Sequence, residues 1–350
     1  MESKKRGKAQ TVLGLLDGNK LGFTLPHEHL SCDIRAIFMV PSDPSEREKA
    51  YQPVTENLGW VRSHRFSNLD NLHIDDEETA VYEAMCLKEA GANTITDVTP
   101  INIGRNPSGL VHIAQASGIN VIMGTSYYTE QSYHPQMHLD SRTEDNIADE
   151  FIRDITTGVN GICAGIIGEI GCSWPLTKNE QKVLRAAAMA QQETGAAISI
   201  HVGPNVGSPF GIAGVLKDAG TNLSRVIMGH ITRAIPITAG GTRRKLAETG
   251  CYLEYDMFGQ EEALPKLTPY HMATDIMRIN QIIKLITDGY LNQILISHDV
   301  CQKIYLSRYG GSGYTYILKT IIPIMRSKGI SEEQIYTIMV ENPKRVLTFA

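Results

Sequence analysis

Side chains that can bind a metal ion recur at the ends of short apolar runs in this sequence of 350 residues. On a β-strand, residues two apart face the same side, so His27 and His29 would point inward together while Glu28 points outward. Imidazole and carboxylate groups suit Zn²⁺, and Mn²⁺, Co²⁺ or Fe²⁺ would fit the same ligands. We therefore predict a metal site, with zinc favoured, whose ligands are His27, His29, Glu169, His201, His230 and Asp299.

The number of candidate ligands indicates two divalent ions rather than one. Four histidines and two carboxylates exceed what one tetrahedral ion needs, and Glu169 is the candidate carboxylate that would bridge a pair of ions. Taken singly, each of these residues also has an ordinary explanation, as a hydrogen-bonded core histidine or a carboxylate at the start of a helix. Six of them at strand ends favour the metal site, because buried charges are costly unless they are paired or metal-bound.

Such a site predicts hydrolysis. Two ions can lower the pKa of a bridging water to about 7 and polarise a substrate oxygen. Asp299 is the predicted catalytic residue, because a carboxylate beside that water can take its proton and pass it to the leaving group. Its neighbour His298 either orients Asp299 and extends the proton path, or lies on the outward side of the strand.

The elements that must position these residues are eight short, nearly continuous apolar runs, as expected for parallel strands buried on both faces. Helical patterns lie between them, and this alternation predicts a barrel or a doubly wound sheet. We favour a (β/α)₈ TIM barrel, since its strand ends meet at one mouth, where barrel active sites lie. The candidate strands are 22–29, 94–99, 120–126, 165–170, 197–202, 225–230, 252–256 and 293–299.

Two helix starts are marked by capping-box patterns. Thr177 and Glu180 should open a helix that ends at Gly195, where glycine suits a left-handed cap. Ser331 should open the last helix in the same way, and Pro343 should stop or kink it.

Two segments lie outside the regular alternation. The segment 10–20 predicts a small hairpin, with Asp17-Gly18 between its apolar runs. The segment 31–75 is too long for a simple strand-to-helix loop, so it should form an excursion over one barrel face, either as a lid or as the contact of a homodimer. No linker divides the chain, so we expect one domain over 1–350.

The composition excludes several classes of protein. With 42% hydrophobic and 20% charged residues it is that of a globular protein, and a net charge of −5 leaves no electrostatic footprint for nucleic acid. No apolar run approaches the length of a membrane span, and no apolar region follows the charged residues 1–6, so we expect neither membrane association nor a signal peptide. The six cysteines form no C-x-x-C pair and should be reduced thiols of a cytoplasmic protein.

Over nearly its whole length the sequence resembles the phosphotriesterase family of the amidohydrolase superfamily. The residues that carry the resemblance are His27-Glu28-His29, His201, His230, Asp299 and the closing Glu341-Asn342-Pro343. The resemblance implies a dinuclear hydrolase. One departure is that the namesake enzymes bridge their metals with a carboxylated lysine, whereas strand four here offers Glu169, as in part of the family.

The segments 163–177, 251–259 and 309–314 resemble an animal subgroup of this family. That resemblance implies hydrolysis of the amide bond of N-acetyltaurine or related N-acetyl amino acids. The spacing of the ligands alone does not separate such an amidase from a lactonase or a phosphotriesterase. A metal-stabilised binding protein without turnover is disfavoured, because a structural site would need fewer groups.

A small anionic N-acylated substrate would need a cation or clustered donors in its pocket. Arg233, Arg308 and Tyr128 are the candidates for substrate binding, although either arginine could instead form a surface salt bridge. Glu254 and Asp256, at the end of strand seven, could orient a ligand histidine or form a structural salt bridge.

Overall fold

The computed structural model of the chain describes residues 5–239, 241–261 and 272–350. Eight parallel strands are hydrogen-bonded in chain order. They are β1 (Thr24–Glu28), β2 (Thr94–Asp97), β3 (Asn120–Thr125), β4 (Ile166–Gly171), β5 (Ala197–His201), β6 (Val226–Met228), β7 (Tyr252–Tyr255) and β8 (Ile294–Ile296). After β8, the backbone N–H of Asp299 donates to the carbonyl of His27 (3.3 Å), which brings the two edges together. The sheet is therefore a nearly closed (β/α)₈ barrel, and the predicted fold is confirmed.

The helices surround this barrel. They are α1 (Leu58–Ser63), α2 (Glu77–Glu89), α3 (Pro107–Ser117), α4 (Glu144–Thr156), α5 (Lys178–Thr194), α6 (Ser208–Asp218), α7 (Ile231–Ala234), α8 (Thr242–Ala247), α9 (Asp275–Thr287), α10 (Ile322–Ser327), α11 (Glu332–Tyr336) and α12 (Asn342–Leu347). Both predicted capping boxes are confirmed: Thr177 opens α5 and Ser331 opens α11. Gly195 closes α5 with a left-handed φ of 71°, which glycine adopts without the steric penalty of a side chain.

Of the two outcomes predicted for Pro343, a stop or a kink of the last helix, the stop was wrong. Pro343 lies in the first turn of α12, directly after a π-helical segment, Thr337–Glu341, that continues from α11. The segment Ile317–Ile321 precedes α10 and Pro323 in the same way. A proline ring clashes with the carbonyl four residues earlier in a regular helix, and the wider π-turn changes that spacing. The helix can therefore pass through the proline.

The interior of the barrel is apolar at its N-terminal end. Side chains from several strands pack there with residues of the N-terminal hairpin and of α12. The buried members of this cluster are Ala9, Leu21, Val98, Ile122, Ile166, Ala197, Ile227, Tyr252, Leu295, Val346 and Leu347. A second and larger apolar cluster packs the outer face of the barrel against the helices.

The N-terminal hairpin pairs Lys8–Thr11 with Gly14–Asp17. Its turn is therefore Val12-Leu13, and the expectation that Asp17-Gly18 lies at the centre of the hairpin was wrong. Asp17 instead caps a short 3₁₀ turn, because its side chain accepts a hydrogen bond from the N–H of Asn19. Residues 1–4, on which the expectation about a signal peptide partly rests, lie outside the described residues.

The excursion after β1 is closed at its base by a short antiparallel pair, Cys32–Asp33 with His73–Ile74. Between them lie α1 and several single 3₁₀ turns, such as Pro44–Glu46 and Val54–Glu56. All six cysteines of the chain are free thiols. Within the described ranges, no helix is both long and apolar enough to cross a membrane.

Candidate metal centre

The predicted metal ligands come from the C-terminal ends of five strands, but only some of them lie within a strand. His27, Glu169 and His201 belong to β1, β4 and β5. His230 and Asp299 lie beyond β6 and β8, which are shorter than predicted, and both have left-handed backbones with φ of 51° and 55°. Residues with a side chain rarely adopt this conformation. The surrounding contacts must therefore hold these two residues in place.

A glycine next to one of these residues has a clear steric reason. A Cβ atom added at Gly229 would lie 2.8 Å from the carbonyl oxygen of Ile200 and 2.9 Å from Oδ2 of Asp256. The backbone before His230 can therefore approach β5 and Asp256 only without a side chain at position 229.

The side chain of Glu169 lies between the four histidines. Its Oε1 is 3.4 Å from Nε2 of His29. Its Oε2 is 3.5 Å from Nε2 of His27, 3.2 Å from Nδ1 of His201 and 3.5 Å from Nε2 of His230. Oε1 thus faces one histidine, and Oε2 faces the other three. A carboxylate placed in this way can bridge two ions.

Asp299 approaches the same group from β8. Its Oδ1 lies 3.2 Å from Nε2 of His29 and 3.8 Å from Nε2 of His27. Candidate ligand atoms come within 4.8 Å of one another in His27-His29-Glu169, in His27-His230-Asp299 and in Glu169-His201-His230. The structure therefore brings all six predicted ligands together in one buried cluster.

The hydrogen bonds behind the histidines test whether the cluster suits metal ions. Nδ1 of His27 donates to Glu254 (2.9 Å). Nδ1 of His29 lies 2.9 Å from Oγ1 of Thr99, whose own proton goes to the carbonyl of Ser31. Nδ1 of each ring is thus engaged as a donor, which leaves Nε2 as the nitrogen that faces the cluster and that a metal ion would bind. Among the described residues, Nε2 of His27 has no hydrogen-bond partner although it is buried. This donor set fits two divalent ions.

Both carboxylates at the end of β7 contact ligand histidines, so they support the site rather than a separate salt bridge. Glu254 accepts the hydrogen bond from His27, and burial raises the pKa of this carboxyl to about 7 even though that hydrogen bond opposes the rise. Asp256 accepts from the backbone N–H of His230 (2.8 Å) and lies 3.1 Å from its Nδ1. Burial by itself would raise the pKa of Asp256, but the charge of His230 outweighs it and lowers the pKa to about 2.

Burial and the neighbouring charges shift the pKa values of the side chains in the cluster. Burial alone would raise the pKa of Glu169, but the positive charge of His27 and the hydrogen bonds from His201 and His230 hold it well below its usual value. The pKa of His201 is lowered too, but here burial itself lowers it, together with the charge of Arg233, to well below that of a free imidazole. Glu169 and His201 are therefore in the states that metal binding requires, an ionised carboxylate and a neutral imidazole. The neighbouring carboxylates outweigh burial and raise the pKa of His29 to about 10 and of His230 to about 9, so a bound ion would have to displace a proton from each of these rings.

His298 lies on the outward side of the strand, the second of the two interpretations left open by the sequence. Its Nδ1 donates to Glu28 (2.7 Å), and its Nε2 accepts from the backbone N–H of Ile317 (3.1 Å). Both ring nitrogens are therefore engaged away from the carboxylate of Asp299.

Two of the three predicted substrate-binding residues line the cavity that contains Glu169 and Asp299. Tyr128 places its hydroxyl 3.1 Å from Nδ1 of His201, and Arg233 places Nη2 2.6 Å from Nε2 of the same ring. The third, Arg308, does not line this cavity. It is exposed in the loop after β8, where its backbone N–H donates to Glu83, so its assignment to the pocket is corrected.

Arg65 was missed from the sequence. The excursion delivers it to this cavity together with Ile34, Ile37 and Phe66, and it is only 5% exposed. Its guanidinium donates to the side chain of Gln260 (2.9 Å) and contacts the hydroxyl of Tyr305. The sequence pattern offered no signal for Arg65, because nothing in the polar segment 31–75 distinguishes an arginine that faces the metal cluster from one that faces solvent.

Comparisons with known proteins relate the chain to one family over almost its whole length. Residues 7–347 match the family model that is described as "Phosphotriesterase family". The chain is 37% identical to the N-acetyltaurine hydrolase of Bos taurus, over 99% of both chains. A resiniferatoxin-binding protein from Rhodobacter sphaeroides has a similar structure, with a TM-score of 0.93, 33% identity and coverage of 98% of this chain and 95% of that one. The lactonase Lmo2620 from Listeria monocytogenes superimposes with a TM-score of 0.78 and 25% identity, over 98% of this chain and 99% of that one.

Proposed function

Because this chain belongs to the phosphotriesterase family of metal-dependent hydrolases, we propose that it hydrolyses the amide bond of N-acetyltaurine or of a related N-acetyl amino acid. The name of the relative from Bos taurus supports this substrate class. The observation that carries the proposal is that Arg65 and Arg233 line the same cavity as Glu169 and Asp299. Cationic side chains close to a metal cluster suit a substrate that has an anion at one end and a scissile amide at the other.

Two divalent ions, with zinc favoured, are proposed to bind to the six clustered side chains. His27, His29 and Asp299 would hold one ion, and His201 and His230 the other, with Glu169 shared between them. When bound, such ions acidify a water molecule and polarise the amide carbonyl.

The residues of the chain supply the remaining steps. Asp299 is proposed to accept the proton of the attacking water and to deliver it to the departing amine nitrogen. Arg233 and Tyr128 border the cluster on the side of His201, where they could donate hydrogen bonds to the substrate. Arg65 lines the same cavity, on the excursion, and would attract the anionic group of the substrate. A planar guanidinium can donate two parallel hydrogen bonds to a sulfonate or a carboxylate.

We also propose that the chain forms a single barrel domain and acts in the cytoplasm, where free thiols stay reduced. A homodimer formed through the excursion stays a prediction.

The second candidate function is hydrolysis of a lactone on the same two ions. It is favoured by the similarity to the Listeria lactonase over almost all of both chains. A lactone ring carries no anion, so a lactonase would gain less from Arg65 and Arg233 than the amidase would.

The experiment that separates them is a substrate comparison on protein reconstituted with Zn²⁺ or Mn²⁺. We expect release of acetate from N-acetyltaurine, loss of this activity after chelation, and two equivalents of metal per chain by elemental analysis. Rapid hydrolysis of lactones or aryl phosphotriesters without amide turnover would contradict the amidase. One equivalent of metal or less would contradict the dinuclear site.

A further inference from the structure

The segment 297–300, which carries Asp299, is held by the side chain of Glu28 from β1. Glu28 is fully buried. Its Oε1 accepts hydrogen bonds from the hydroxyl of Ser297 (2.7 Å), the backbone N–H of His298 (2.9 Å) and the imidazole Nδ1 of His298 (2.7 Å). Its Oε2 accepts from the backbone N–H of Val300 (3.0 Å). The donors on both sides of Asp299 therefore converge on one carboxylate.

Gln260, from the loop after β7, holds the same segment by its carbonyl groups. Its Nε2 donates to the carbonyl oxygens of His298 (2.7 Å) and Asp299 (2.9 Å). The Oε1 of Gln260 accepts from Arg65, so the amide group is fixed in this orientation. The N–H groups of His298 and Val300 are thus bound by one side chain, and the carbonyl groups of His298 and Asp299 by another.

Asp299 needs such support because of its backbone. Its φ of 55° lies in the left-handed region, which is uncommon for residues with a side chain, although aspartate adopts it more readily than most. If the segment relaxed to an extended or right-handed conformation, the carboxylate would swing away from His29, which now lies 3.2 Å from its Oδ1. A strained residue persists only where the surrounding contacts determine its conformation.

We propose that Glu28 and Gln260 are positioning residues, which fix the left-handed conformation of Asp299 and so aim its carboxylate at the metal cluster. Glu28 sits between two predicted ligands in the chain, but on the opposite face of β1, so it acts through Asp299 and not through the ions. The proposal rests on the proposed role of Asp299 in the metal site. It gives a function to the middle residue of His27-Glu28-His29.

A buried glutamate with several donors can also serve the fold alone, and the chain contains such a case. Glu180 is fully buried on α5. It accepts from the backbone and hydroxyl of Ser173 (3.0 and 2.7 Å) and from the backbone N–H groups of Thr177 (3.1 Å) and Glu130 (3.2 Å). None of these donors flanks a predicted metal ligand. Glu180→Gln is therefore the matched control for Glu28→Gln.

The test compares the two variants by metal affinity and by steady-state kinetics. Glu28→Gln keeps the shape of the side chain but places an NH₂ group against a backbone N–H, either that of Val300 or that of His298. Groups that orient metal ligands typically change metal affinity or activity by about 10–100-fold when they are replaced. We expect a weakening of this order in Zn²⁺ affinity, measured by competition with a chromogenic chelator, and a lower kcat with little change in KM. Glu180→Gln should lose thermal stability but keep the wild-type Zn²⁺ affinity.

Equal Zn²⁺ affinities for Glu28→Gln and the wild type, or equal losses in both variants, would overturn the proposal. The affinity measurement needs no turnover, so it stays decisive even if N-acetyltaurine is not the substrate. If Glu28→Gln does not fold, Gln260→Met removes the other half of the support, and it should weaken Zn²⁺ binding in the same way. Unchanged Zn²⁺ affinity in folded Gln260→Met would equally contradict the role.

Discussion

Both ends of the barrel interior are buried, but they are filled with different chemistry. At the mouth, four histidines surround Glu169 and Asp299. At the opposite end, apolar side chains such as Ile122, Ile166 and Leu295 pack together under the N-terminal hairpin. Burial of apolar groups stabilises the fold, whereas buried charges reduce its stability unless they are paired or bound to a metal. The apolar residues that stabilise the barrel and the polar residues that could carry out a reaction therefore lie at opposite ends of the same strands.

The largest expected effect is at the mouth. Asp299→Asn keeps the size of the side chain but removes the proposed proton acceptor and one anionic metal contact. We expect kcat for N-acetyltaurine to fall by about 10²–10⁴-fold, the usual contribution of a general base. The melting temperature should change little, since the side chain contributes no apolar packing. A folded Asp299→Asn protein that keeps the wild-type kcat would contradict the proposed role of Asp299 as the proton acceptor at the mouth.

The opposite end should respond in the opposite way. Ile122→Ala removes a fully buried side chain on β3, a strand that carries no predicted metal ligand. We expect the free energy of unfolding to fall by about 2–5 kcal/mol, the range found when a buried isoleucine is truncated. Chemical denaturation measures this change, and metal content and kcat of the folded fraction should match the wild type. A loss of bound metal in Ile122→Ala would show that the two ends are not independent.

Two arginines near the mouth differ in whether they reach the cavity. Arg233→Met removes a cation that lines the metal cavity, and Arg308→Met removes one that is exposed outside it. A hydrogen bond to a charged group is worth about 1.5–3 kcal/mol, so kcat/KM for N-acetyltaurine should fall by roughly 10–150-fold in Arg233→Met. The loss should be smaller for an uncharged N-acetyl amide, and Arg308→Met should behave as the wild type. Equal effects of the two substitutions would contradict the corrected position of Arg308.

The smallest effect concerns a site that belongs to neither end. Ser331 caps α11, and its hydroxyl accepts from the backbone N–H of Gln334. Ser331→Ala should lower the free energy of unfolding by about 1 kcal/mol, with no change in kinetics. Ser327→Ala is the control, because this exposed serine lies at a helix C-terminus and caps no helix start. Equal stabilities of the two variants would contradict the contribution of the cap.

Much of this architecture follows from local patterns in the sequence. Apolar runs of strand length, separated by helical patterns, predicted the barrel, and the polar residues at the ends of those runs predicted the ligands. Local patterns predicted the cap at Thr177 as well, since a capping box involves residues only three apart. They failed for the hairpin turn and for a stop at Pro343, where the geometry of neighbouring segments overrides the preference of a single residue.

The types and spacing of residues along each strand fix which donor groups lie at the mouth and the order in which the strands deliver them, so both could be predicted from the chain alone. Which side chains share the cavity depends on contacts between distant segments. Arg65 enters it and Arg308 does not, and no local pattern separates the two. The support of Asp299 by Glu28 joins residues about 270 positions apart. Such contacts exist only once the last strand meets the first, which is a property of the closed barrel and not of any segment of the chain.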